Sequence, residues 1–155
     1  MIDVPLISQR NSAWASKFLG TSSVTIGGYG CVITSLTALV GKTDVNWTNE
    51  AFKQNNVFSG GNLVIWANVP KVFPNLKFIY RYYKYDNNKV AEYVYSKKTP
   101  VIVEVDASPI GSPRNSHFVL FLGGQKLLDP WTGNIRNTSD FPDRKGFVLY
   151  EFIGA

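Results

Sequence analysis

Ser116-His117-Phe118-Val119-Leu120-Phe121-Leu122-Gly123-Gly124-Gln125-Lys126-Leu127-Leu128-Asp129 is the stretch on which the fold turns. After His117 it runs apolar without a break, the pattern of a strand covered on both faces, and Gly123-Gly124 supplies a tight turn. Gln125 to Leu128 then returns antiparallel. If Gly123-Gly124 is a two-residue loop, position 117 pairs with 130; a three-residue loop beginning at Leu122 sets Asp129 directly opposite His117 instead. In either register the carboxylate comes within a few ångström of the imidazole, since cross-strand Cβ atoms lie about 4.5–5.5 Å apart.

Working outward, strands are expected at 77–83, 101–105, 116–122, 125–128 and 146–152, with an amphipathic helix over 88–98 between the first two. Toward the N-terminus the reading is helical: 30–40, 48–55 and a short helix at 62–69 that Pro70 ends. Helices first and strands later argue an α+β class, an N-terminal helical lobe packed on a C-terminal antiparallel sheet. The 155 residues, 45% hydrophobic and 14% aromatic, are expected to form one domain spanning 1–155. Repeats and low-complexity segments are absent.

Cys31 is the one cysteine and His117 the one histidine, so Cys/His chemistry has a single possible pair. Cys31 follows Gly27-Gly28-Tyr29-Gly30 and opens an apolar stretch with helical spacing. At a helix N-terminus, free backbone N–H groups and the positive end of the dipole favour the thiolate, the nucleophilic form. A lone cysteine also fits as a small buried hydrophobe, and a lone strand histidine as one satisfied by backbone. Asp129 tips the balance, because a carboxylate on one ring nitrogen fixes the tautomer and leaves the other to take the thiol proton. Gln9, after the strand-like Ile2-Asp3-Val4-Pro5-Leu6-Ile7, offers an amide that could join the Cys31 N–H on a developing oxyanion; a surface glutamine is the plain alternative.

The order Gln, Cys, His, Asp resembles the papain-like cysteine peptidases, in particular the branch related to bacteriocin-processing, double-glycine leader peptidases. Four blocks carry the likeness: Val4-Pro5-Leu6-Ile7-Ser8-Gln9-Arg10-Asn11-Ser12-Ala13-Trp14; Thr25-Ile26-Gly27-Gly28-Tyr29-Gly30-Cys31 with Ser35-Leu36; His117-Phe118-Val119; and Asp129-Pro130-Trp131-Thr132-Gly133. The resemblance implies a papain-like fold with Cys31 as nucleophile, His117 as general base and acid, Asp129 as orienting carboxylate and Gln9 as oxyanion-hole side chain. Tyr29, Gly30, Ser116 and Trp131, which flank these residues, are the candidates for substrate contact. Gln9 lies further ahead of Cys31 than the glutamine of leader peptidases does, and the intervening stretch resembles stand-alone relatives.

The formal net charge of +5 favours anionic surroundings without naming them. Lys77, Arg81, Lys84, Lys89, Lys97 and Lys98 interleave with tyrosines, but they fall on a strand and an amphipathic helix as solvated charges, and no nucleic-acid motif accompanies them. No zinc or calcium spacing and no phosphate-loop lysine occurs, so no metal and no cofactor is expected. Gly27-Gly28-Tyr29-Gly30 is therefore read as the approach to Cys31. Asn46-Trp47-Thr48 and Asn137-Thr138-Ser139 match glycosylation acceptors by chance. No run reaches the roughly 18 apolar residues of a membrane span, and Met1-Ile2-Asp3-Val4-Pro5 lacks the pattern of a secretory signal, so synthesis in the cytoplasm is expected, with no membrane partner.

These readings converge on a cysteine endopeptidase, expected as a monomer, acting through a thioester acyl-enzyme. The substrate implied first is a peptidoglycan stem or bridge peptide, as for the catalytic module of a phage lysin that reaches the bacterial cell wall after release. A leader-peptide or protein-processing protease is the second expectation. A catalytically silent wall-binding module of the same fold, using Trp14, Trp47, Trp66 or Trp131, is the third.

Overall fold

The computed structural model describes residues 1–112 and 114–154. A short helix α1 (Ile26–Tyr29) runs through Gly30 into α2 (Cys31–Leu39), and α3 (Val45–Gln54) follows. Two-residue strands β1 (Phe58–Ser59) and β2 (Leu63–Val64) pair antiparallel, and a 3-10 turn covers Trp66–Lys71. Then come β3 (Leu76–Tyr82), α4 (Asn87–Ala91) with a π-helical continuation Glu92–Ser96, β4 (Val101–Asp106), β5 (Ser116–Gly123), β6 (Lys126–Asp129), β7 (Asn134–Asn137) and β8 (Arg144–Phe152). The molecule is α+β: a small helical part beside a six-stranded antiparallel sheet in the order β3-β8-β4-β5-β6-β7.

The continuous apolar run of β5 has a simple cause: both faces of the sheet are covered. Phe118, Leu120 and Leu122 share a core with Ile33, Leu36 and Phe52 of α2 and α3. Val119 and Phe121 pack with Val90, Tyr93 and Val94 on the opposite face. Burying such a side chain stabilises by about 1.5–3 kcal/mol, which fixes β5 between the two layers and α2 against it.

Several expectations are corrected. The second helix starts at Val45 and not Thr48, because the Asp44 carboxylate accepts from Trp47 N at 3.0 Å and caps it earlier. No α-helix spans 62–69: β2 pairs with β1 at its start, only 66–69 are helical, within a 3-10 helix over Trp66–Lys71, and Pro70 lies inside that helix rather than ending it. The expected 88–98 helix widens into a π-helical segment at Glu92. β7 lacks an apolar alternation and was not anticipated.

Neither anticipated hairpin register is adopted. The turn lies at Gly124-Gln125, with φ of 62° and 59°, the left-handed pair that a type I′ turn requires. Gly123 pairs with Lys126 and Phe121 with Leu127, so an extra residue bulges out between them. Continuing the pairing of Leu120 with Leu128 sets Asp129 opposite Val119, diagonal to His117 on the same face.

Candidate active site

Cys31 is the first residue of α2, and no side chain caps that end, so its backbone N–H has no partner within the helix. The approach is close-packed: a Cβ on Gly30 would stand 2.5 Å from the Ile26 carbonyl oxygen, so only glycine fits there. Gly27 donates its N–H to the Ala15 carbonyl at 2.9 Å and tethers the same turn to the N-terminal segment.

His117 opens β5. Its Nε2 meets Asp129 Oδ1 at 2.7 Å across the diagonal of the hairpin, which leaves Nδ1 for the thiol. The carboxylate also accepts from Trp131 N at 2.9 Å and from Arg136 Nη1 at 3.1 Å. Residue exposure is 1% for Cys31, 3% for His117 and 0% for Asp129, so these charges interact with little solvent screening.

The electrostatics follow from that burial and its compensation. Burial alone pushes the Cys31 thiol up, yet His117 through hydrogen bonding and charge, then Arg114, hold it below its ordinary value. Burial alone pushes the His117 imidazolium down, but Asp129 and Cys31 raise it to about 9. Burial opposes ionisation of Asp129 as well, and its hydrogen bonds to His117, Trp131 N and Arg136 keep it lowered. The three shifts point the same way, each favouring the charged form: thiolate, imidazolium, carboxylate.

Gln9 is buried with 1% exposure. Its backbone N–H donates to the Pro130 carbonyl at 2.7 Å, and its side-chain Nε2 donates to the Gly27 carbonyl at 3.1 Å. It thus bridges the segment entering Cys31 and the turn leaving Asp129. One Nε2 hydrogen remains after the bond to Gly27, and Oε1 is buried without a partner.

The substrate-contact candidates separate. Tyr29 lines a cleft of about 400 Å³ with Val32, Trp66, Arg81, Arg114 and Phe118. Gly30 is buried and is not among the cleft's lining. Ser116 and Trp131 are not among the cleft's lining: the Ser116 hydroxyl accepts from Lys145 Nζ at 3.1 Å, and the Trp131 ring lies under the Arg10 guanidinium at 4.3 Å. A second pocket of about 460 Å³, between α4 and the far face of the sheet, contains none of the candidate residues.

Two arginines escaped the sequence reading. Arg136 lies on the unanticipated β7, opposite Leu127, and so on the face that presents Asp129. Arg114 precedes β5 and sets Nη1 3.7 Å from Cys31 Sγ, stacked over the Tyr29 ring at 4.9 Å. Only the proximity of Arg114 to His117 in the chain hinted at this. Among the described residues, no cluster of His, Cys, Asp or Glu could hold a metal ion, and no helix is long and apolar enough to cross a membrane.

No family model, curated protein or solved structure matches the chain.

Proposed function

We propose that the protein is a cysteine endopeptidase of papain-like type, related to the leader-processing peptidases and directed at peptides of the bacterial cell wall. The observation that carries this reading is the buried set Cys31, His117 and Asp129, with Cys31 at the start of α2 and a 2.7 Å His117–Asp129 bond between β5 and β6. The Cys31 thiolate attacks a peptide carbonyl carbon, and the carbonyl electron pair moves to oxygen. The Cys31 N–H and the remaining Gln9 N–H stabilise that oxyanion. Collapse breaks the C–N bond, the amine leaves with the imidazolium proton, and a thioester remains. Neutral His117 then takes a proton from water, which attacks the thioester and releases the acid and the thiolate. The net charge of +5 suits a wall built of anionic polymers and short peptides.

One observation favours a second reading, the silent binding module: Cys31 is only 1% exposed and Arg114 lies against its sulfur. Incubation with purified peptidoglycan, with fragments identified by mass spectrometry, separates the two. The enzyme reading expects new amino termini that Cys31→Ala does not produce. Intact wall after incubation with folded protein, together with intact leader peptides, would reject it.

A further inference from the structure

The cleft beside Cys31 has apolar walls, Val32, Trp66 and Phe118 among them, and its charged lining residues are Arg81 and Arg114 with no carboxylate. The two arginines differ in their partners. Arg81 is answered by Glu104 at 2.7 Å and by the Tyr82 carbonyl at 2.7 Å. Arg114 has no ion-pair partner among the described residues. Its guanidinium holds only long contacts, 3.7 Å to the sulfur and 3.5 Å to the Tyr29 carbonyl, beside the Tyr29 ring.

Those contacts have a consequence for any attack on a carbonyl. Cys31 is buried, and the side chain lying against its sulfur is a cation with unspent hydrogen-bond donors in a cleft lined by no carboxylate. A carboxylate can meet a guanidinium with two parallel N–H···O bonds near 2.8 Å, roughly twice as strong as neutral ones. Such bonds are shorter than the 3.5 Å and 3.7 Å contacts that Arg114 holds, so an arriving carboxylate competes with the sulfur for its guanidinium. The sulfur keeps His117 as its counter-charge when Arg114 leaves.

We propose that Arg114 reads the substrate: it binds a carboxylate next to the scissile bond, and by turning to that carboxylate it uncovers Cys31. This rests on the cysteine-peptidase reading and narrows its substrates to acidic peptides, whether the carboxylate is a side chain or a chain end. An acidic peptide opens the site, whereas a neutral one must displace the guanidinium without replacing its interactions.

Alkylation of Cys31 by iodoacetate and by iodoacetamide tests this directly, because the two share an electrophilic carbon and differ in the carboxylate. Their rate ratio cancels the thiolate fraction, so a changed thiol pKa does not disturb it. Relative to glutathione, wild type is expected to favour iodoacetate by about tenfold, or ~1.4 kcal/mol. Arg114→Gln is expected to abolish that preference, and Arg114→Lys, which keeps the charge without the fork, to retain part of it. Exchanging Glu for Gln beside the cleaved bond of a peptide is expected to lower kcat/KM about tenfold in wild type and to leave Arg114→Gln indifferent. Fast alkylation with the same ratio in wild type and Arg114→Gln would overturn the role of Arg114 alone. Labelling by both reagents no faster at about pH 6 than that of glutathione, whose thiol is then protonated, would overturn the peptidase reading with it.

Discussion

The helix start that carries Cys31 is held by shape, and the strand end that carries His117 is held by charge. At the first, glycines let backbones touch: Gly30 leaves no room for a Cβ under Ile26, and Gly27 hydrogen-bonds Ala15 at 2.9 Å. No charged side chain caps that turn. At the second, a buried carboxylate collects an imidazole, a backbone N–H and a guanidinium within 3.1 Å. Close packing fixes where Cys31 stands, while the charged network biases its ionisation through His117. The two ends should therefore fail differently: damage to the helix side costs placement or stability, and damage to the sheet side costs ionisation.

The largest expected effect breaks the sheet side outright. His117→Ala should reduce peptide hydrolysis by about 10⁴-fold or more, close to the loss from Cys31→Ala, because members of such a triad act as a unit. Steady-state assays at equal folded concentration check this, and retained activity would place the base elsewhere.

Asp129→Asn should keep the hairpin and lower turnover on the order of 10²–10⁴-fold. It should also change the pH profile in a defined direction. His117 is raised to about 9 in part by Asp129, so activity in wild type should fall as pH rises through about 9, where the imidazolium loses its proton. Without the carboxylate that limb should move toward the ordinary imidazole value of 6.5. An alkaline limb unmoved in the pH profile of the variant would show that Asp129 does not set the charge.

Cys31, His117 and Asp129 were legible because uniqueness and periodicity act locally: one cysteine at the head of a helical pattern, one histidine at the head of a strand, one carboxylate across a glycine turn. What the sequence hid was geometry that depends on several strands at once. Gln125 adopts a left-handed φ of 59°, so the turn lies one residue later than glycine preference suggests, and the bulge before it makes Asp129 diagonal to His117. Asn134–Asn137 has a single apolar residue, Ile135, and becomes a strand only because β6 offers it an edge; Arg136 came into the site with it. Arg114 reaches Cys31 from 83 positions away, a contact no local pattern encodes.

Gln9 joins the two sides, and its loss should cost less than either. Gln9→Ala should lower kcat by about 10²–10³ with little change in KM, the signature of one lost oxyanion donor. Separate kcat and KM values check it; a change confined to KM would make Gln9 a structural bridge only.

The smallest effect on chemistry should come from the shape side. Gly30→Ala places a Cβ against the Ile26 carbonyl and should destabilise the fold by about 1–3 kcal/mol, measured by denaturant unfolding. The fraction that remains folded should keep the alkaline limb of wild type, since no partner of His117 has changed.

The thiolate itself gives the most direct test of the central claim that His117 and Arg114, against the cost of burial, favour the ionised form of Cys31 opposite an imidazolium. With one cysteine in the chain, ultraviolet absorbance of the thiolate can be followed against pH in wild type, with Cys31→Ala as the blank. The account predicts that the thiolate appears at a pH below the ordinary cysteine range of about 8.5, and that this lowering is lost in His117→Ala. A thiolate that appears only near pH 8.5 or above, with or without His117, would contradict it.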